Sequence, residues 1–247
     1  FGSRGAPRAA AQTCSLSRAG METACGAPDR LQAPAALAVL SADGVKRNYA
    51  AVAILSVAGS DGETRYAFQR KTPGYPATCM VGALCLFGGN REPSDESARA
   101  TLVRELREEL PPAWSSHAEA SLEAFSRYIV QAPVGAWRPP DGPAIAFECC
   151  VFHGQLPQDA LRAGGDAVEE GALEVRTLPE LAREPLFCWA YNVPFYDYLK
   201  EVTGTPGADE LMPGAPADRE ALQCGCTAQR LAPGAHVSEW SAGGSWR

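Results

Sequence analysis

Three glutamates, Glu105, Glu108 and Glu109, fall at i, i+3 and i+4 of one charged stretch, Arg104-Glu-Leu-Arg-Glu-Glu-Leu110. On a helix that spacing stacks their carboxylates on a single wall. Like charges so placed repel, at roughly 0.2–0.5 kcal/mol per pair, so folding alone gives no reason to gather them. A hard divalent cation such as Mg2+ reverses the sign of that term, because it takes carboxylate oxygens and waters as ligands. Upstream, the apolar run Leu84-Cys-Leu-Phe87 ends in the pair Gly88-Gly89. Paired glycines let a backbone pass close to an ion or ligand without side-chain obstruction.

The surrounding pattern supplies elements to hold those acids. Ala98, Leu102, Leu106 and Leu110 recur every four residues, an apolar stripe that predicts a helix anchored on a sheet with its acids off the core. Ser94 or Asp95 is the expected cap, behind Pro93. Glu96 suits the positive end of the helix dipole, and Pro111-Pro112 is expected to stop the helix. Strands are expected at Tyr49–Val57 and Tyr66–Arg70, joined by the turn Gly59-Ser-Asp-Gly62. Further strands are expected at Met80–Phe87, Phe125–Gln131, Ile145–Gln155 and Ala172–Leu178. Trp189–Val202 reads as a closing helix, delayed by Pro194, whose aromatic residues cover the sheet. The fold class is therefore α+β, with a mixed central sheet.

These residues resemble the Nudix hydrolase signature, Gly-x5-Glu-x7-Arg-Glu-U-x-Glu-Glu-x-Gly-U, with U aliphatic. Glu96, seven residues and then Arg104-Glu105-Leu106-Arg107-Glu108-Glu109 match its second half. Two features depart from it: six residues rather than five separate Gly89 from Glu96, and Pro111 stands where the signature has a glycine. The resemblance implies an α/β/α sandwich and divalent-metal-dependent hydrolysis of a phosphoanhydride, in a nucleoside diphosphate linked to another moiety. It implies Mg2+ or Mn2+ on Gly88 (through its carbonyl), Glu105, Glu108 and Glu109. Arg104 is expected either to orient Glu105 or to pair with Glu96. Glu170, with Glu169 in reserve, or one of the helix acids would be the general base. Arg70, with Lys71 beside it, and Phe87, Tyr128 and Trp137 are the expected substrate contacts. ADP-ribose, a nucleotide sugar, a dinucleoside polyphosphate, a coenzyme and a capped RNA end all remain open as substrates. The alternative is a Nudix-fold nucleotide-binding or assembly module without turnover.

The rest of the composition agrees with one medium-sized enzyme domain. The chain has 247 residues, 46% of them hydrophobic, enough to bury a sizeable core. A net charge of −7 argues against adhesion to duplex nucleic acid or anionic membrane, and no apolar run approaches a membrane span. The resemblance implies a nucleoside diphosphate derivative as the small-molecule partner, and a homodimer or larger assembly is compatible with the sequence. Nine cysteines at irregular spacing, several inside apolar runs, read as free thiols in a reducing, intracellular setting, cytoplasmic or organellar (mitochondrion or plastid). Residues 1–34 carry arginines and no acid before Glu22, as in a transit-peptide remnant. The enzyme domain is expected over 35–203. Residues 204–247, rich in glycine, proline and alanine, read as a low-complexity extension.

Overall fold

In Tyr49–Val57, Ala50, Val52 and Ile54 enter one apolar cluster while Tyr49, Ala51, Ala53, Leu55 and Val57 enter another. A strand buried on both faces requires a layer on each side of its sheet. The computed structural model supplies those layers; it describes residues 39–40, 46–132, 145–168, 171–183, 186–206 and 225–231. In chain order come β1 (Val39–Leu40), β2 (Lys46–Ala58), β3 (Thr64–Arg70), β4 (Leu84–Cys85), β5 (Phe87–Asn90), α1 (Ala98–Glu109) and α2 (Pro112–Ser121). After them come β6 (Glu123–Ala132), β7 (Ile145–Gln155), β8 (Ala172–Arg176), α3 (Leu178–Leu181), α4 (Asn192–Glu201) and β9 (Thr227–Arg230).

The sheet is mixed: β2 runs parallel to β7, and the other pairings are antiparallel. Its most consequential feature is a split. Leu55–Ala58 of β2 pair with Thr64–Ala67 of β3, but the two strands then part. The segment carrying β4 and β5 fills the opening. Leu84 and Cys85 pair with Arg70 and Gln69 of β3, and Phe87–Asn90 pair with Ala50–Ala53 of β2. The run expected as one strand, Met80–Phe87, is thus a 3-10 turn at Thr78–Met80 and two short strands that change partner at Leu86.

Helix α1 lies on one face through Ala98, Leu102 and Leu106, with Leu110 just beyond its end, packed with Phe87, Trp114 and Ala118. Its cap is Ser97, whose hydroxyl accepts from the Ala100 N–H at 3.1 Å, rather than Ser94 or Asp95. Glu96 therefore precedes the helix instead of opening it. The prolines end α1 as expected, yet Pro112 also starts α2, where its missing N–H costs nothing. On the opposite face α4 brings Phe195 edge-on to Tyr66 and Phe68, with ring centroids 5.0 and 5.4 Å apart. The closing helix begins at Asn192. Before it, Trp189 and Ala190 sit at φ 54° and 55°, left-handed backbone that costs roughly 1–3 kcal/mol per non-glycine residue.

One strand comes from the stretch read as an extension. Thr227–Arg230 pairs with Tyr128–Gln131, and the Arg230 Nε donates to Ser126 Oγ at 2.7 Å while its guanidinium also pairs with Glu201. The described cysteines, Cys79, Cys85, Cys149, Cys150, Cys188 and Cys226, are free thiols. Among the described residues no helix is long and apolar enough to cross a membrane.

Candidate functional site

Where β2 and β3 part, the backbone N–H of Gly88 faces α1 and donates to Glu109 Oε2 at 2.8 Å. Glu109 is consequently only 4% exposed, a carboxylate inside the layer between helix and sheet. This corrects the expectation of acids standing clear of the core. Gln69, the penultimate residue of β3, and Lys71, just past its end, are buried beside it. The Lys71 Nζ donates to Gln69 Oε1 at 2.7 Å and lies 4.9 Å from the centre of the Tyr75 ring. Burial pushes the Glu109 carboxyl up to about 8. The Lys71 charge, the Gly88 N–H and the Gln69 carboxamide pull it down, and Glu105 pushes it up. The Gln69 nitrogen is near enough to act on the carboxylate yet lacks the geometry of a formed hydrogen bond.

Glu105 occupies the other side of the turn. A Cβ at Gly89 would lie 2.6 Å from its carboxylate, so the missing side chain is the space the acid fills. Arg104 holds it: Nη2 is 3.0 Å from Glu105 Oε1. The same guanidinium donates from Nη2 to the Asn90 carbonyl at 2.8 Å and from Nη1 to Glu108 Oε2 at 3.1 Å. Glu108 is drawn outward along the helix by that i, i+4 pair, and its side chain is 58% exposed. The three acids therefore do not converge. Two close on the glycine turn, and the third pairs with arginine in solvent.

The loop acid that meets Arg104 is Asp95. Its two oxygens accept from Arg104 Nε at 3.3 Å and Nη2 at 3.1 Å, and Oδ2 also accepts from the Glu92 N–H at 2.9 Å. Burial raises the Asp95 pKa, but the bonds from Arg104, Glu92 and Thr101 outweigh it and hold the carboxyl below its usual value. Opposing causes act on Arg104 too: burial lowers its pKa, and Asp95 and Glu105 together hold it above normal. Glu96 is exposed and takes no part.

The other expected contacts are placed differently. The Arg70 Nε donates to Glu174 of β8 at 2.9 Å, a sheet-edge ion pair, and it is Lys71 that turns to the acids. Phe87 is buried in the cluster under α1. Tyr128 is buried on the α4 side, its hydroxyl donating to Asp197 Oδ2 at 2.7 Å. Tyr128 is core because β6 lies between β7 and β9 with its alternate residues buried, and Phe87 because its ring lies between the sheet and α1. Trp137, Glu169 and Glu170 lie outside the described residues.

Among the described residues no group of three or more His, Cys, Asp or Glu side chains is gathered to hold a metal ion. The donors present nonetheless suit a hard divalent cation in kind. Two carboxylates meet a glycine turn at a cradle that a single Cβ would fill, and every donor is oxygen. Asp95 and Gln69 were missed by sequence reasoning. A signal existed for Asp95, because the five residues the signature puts between glycine and acid lead from Gly89 to Asp95. For Gln69 the signal was a lone amide in an otherwise apolar strand core.

No protein-family model matches this chain, and no curated protein does. Solved structures do. A Nudix hydrolase from M. smegmatis, RenU, is 20% identical over 68% of this chain and 95% of its own, with a TM-score of 0.41. A mutT/nudix family protein from Listeria innocua is 21% identical over 64% and 98%, with a TM-score of 0.42. The Nudix domain of Shewanella oneidensis NrtR, solved with ADP-ribose, is 17% identical over 57% and 79%, with a TM-score of 0.36. These three solved proteins, to which this α+β chain is similar, carry Nudix or mutT in their names.

Proposed function

We propose that this protein hydrolyses a phosphoanhydride in a nucleoside diphosphate linked to another moiety, with Mg2+ or Mn2+. The observation that carries the reading is the convergence of Glu105 and Glu109 on one glycine turn from one turn of helix. These two carboxylates, with the Gly88 carbonyl, would hold the cation. When bound, a divalent cation supplies Lewis-acid charge neutralisation and a coordinated water of lowered pKa.

The chain's own residues do the positioning. Gly88 fixes one oxygen of Glu109 through its N–H, and Arg104 fixes Glu105. Lys71 adds a positive charge beside Glu109, suited to attracting a polyphosphate toward the turn. Burial around Glu109 excludes bulk water, which strengthens each of these interactions. Glu170, or one of the helix acids, takes the proton of the attacking water. Glu108, exposed and paired with Arg104, is the weakest of the three as a ligand. The free thiols suit a reducing compartment.

The test is product release from a panel of nucleoside diphosphate derivatives with Mg2+ or Mn2+, using wild type and Glu109→Gln. Turnover of at least one member, lost in the variant, supports the reading. Tight retention of one ligand with no turnover of any would replace it with the binding-module alternative.

A further inference from the structure

We infer that Asp95, and not Glu96, is the loop acid that sets the geometry of the carboxylate site, acting as a positioning residue through Arg104. The inference rests on the hydrolase reading and adds a residue to it. Glu96 is the acid at the signature's distance from the arginine, but it is exposed and outside the helix. Asp95 is 6% exposed and grips Arg104 at two oxygens. The loop's extra residue therefore lies after the gripping acid, and Glu96 is the residue looped out.

The consequence follows from how the guanidinium is shared. Nε and Nη2 are both engaged by Asp95, which fixes the plane of the group. With that plane fixed, Nη2 also reaches Glu105 and the Asn90 carbonyl, while Nη1 faces Glu108. The loop in turn locks Asp95. Its N–H donates to the Glu92 carbonyl at 3.0 Å, and its own carbonyl accepts from Arg91 Nε at 3.0 Å. Arg91 is tied to β2 through its N–H on the Tyr49 carbonyl at 2.8 Å. A chain of contacts thus runs from the central strand through the loop to Arg104 and on to Glu105. Without the Asp95 charge, Arg104 keeps Glu105, Glu108 and the Asn90 carbonyl as partners and closes on Glu105, taking up oxygen lone pairs that a cation needs.

The experiment measures Mn2+ binding to the metal-stripped full chain by electron paramagnetic resonance, with circular dichroism as the check on folding. Asp95→Asn, Asp95→Glu and Glu96→Gln are compared with wild type. Asp95→Asn is expected to weaken Mn2+ by at least about tenfold, the range for loss of a group that orients a ligand. Asp95→Glu keeps the charge and is expected to restore most of the affinity, and Glu96→Gln is expected to match wild type. If Asp95→Asn does not fold, Asp95→Ser, which keeps an acceptor but no charge, takes its place with the same expected loss. Wild-type affinity in the Asn or Ser variant, or an equal loss in Glu96→Gln, overturns the inference and leaves the metal reading standing. Failure of wild type itself to bind Mn2+ overturns the metal reading and the inference together.

Discussion

Gly88 and Glu109 are joined by a backbone N–H donated to a buried carboxylate at 2.8 Å, across the opening between β2 and β3. Gly88 is itself at φ +121°, and a Cβ there would lie 2.2 Å from the Ala51 carbonyl oxygen. The acid is held by the fold, so its chemistry and its stability are linked.

On the proposed function, Glu109→Gln is expected to reduce turnover at least about a hundredfold, because an amide cannot lose a proton to become an anionic ligand. Folding should survive, since the amide oxygen can still accept from Gly88. Glu109→Ala should instead cost roughly 1–3 kcal/mol, for it leaves that buried N–H without an acceptor. Steady-state kinetics and urea unfolding of the two variants separate the effects, and equal loss of stability in both would contradict this placement.

A pH dependence follows from the same burial. The Glu109 carboxyl is raised to about 8 in the folded chain, so between its unfolded value and that one the native state binds the extra proton. Stability from this group is fully present below about pH 4.5 and is lost as pH rises through 8, by a few kcal/mol in all. Urea midpoints of the metal-free protein from pH 5 to 8.5 should fall, and Glu109→Gln should flatten that slope.

The two glycines should fail differently. Gly88→Ala forces a side chain onto left-handed backbone against the Ala51 carbonyl, and a loss of about 3 kcal/mol or more is expected. Gly89→Ala meets first the end of the Glu105 side chain, 2.6 Å away. It should lower turnover sharply with a shift in thermal midpoint of a few degrees at most. The reverse ranking would detach Glu105 from the turn.

Tyr128→Phe removes the hydroxyl on Asp197 and leaves the ring in the core. A loss of about 1 kcal/mol is expected, with kcat and KM unchanged. A rise in KM would return Tyr128 to the substrate site.

Much of this architecture was legible because it follows from period. The alternation in Tyr49–Val57 and the four-residue stripe Ala98, Leu102, Leu106 and Leu110 place sheet and helix directly. That Glu105 and Glu109 meet the glycine turn was legible, because acids beside such a turn have few structural reasons to be there. Illegible was what depends on a third element. Nothing local says that Glu109 sinks and Glu108 swings out. The difference comes from the parted strands under one and the pull of Arg104 on the other. Of the two partners expected for Arg104, Glu105 is in contact and Glu96 is not: counting residues back from the arginine reaches Glu96, whereas the backbone turn at Glu92 and Asp95 decides which acid points inward. Pro112 was legible as a stop and not as a start, because both roles use the same residue type.

Strand β9 contributes nothing to the carboxylates, yet it covers part of β6 and leaves a four-residue strand as the outermost one at that side of the sheet. Tyr128–Gln131 would otherwise offer a row of open amide and carbonyl groups, a ready template for a neighbouring copy. A polypeptide ending after α4 would retain every described group of the carboxylate site and be prone to clump through that bare rim. The strand that covers this rim and the carboxylates at the glycine turn thus come from separate parts of the chain.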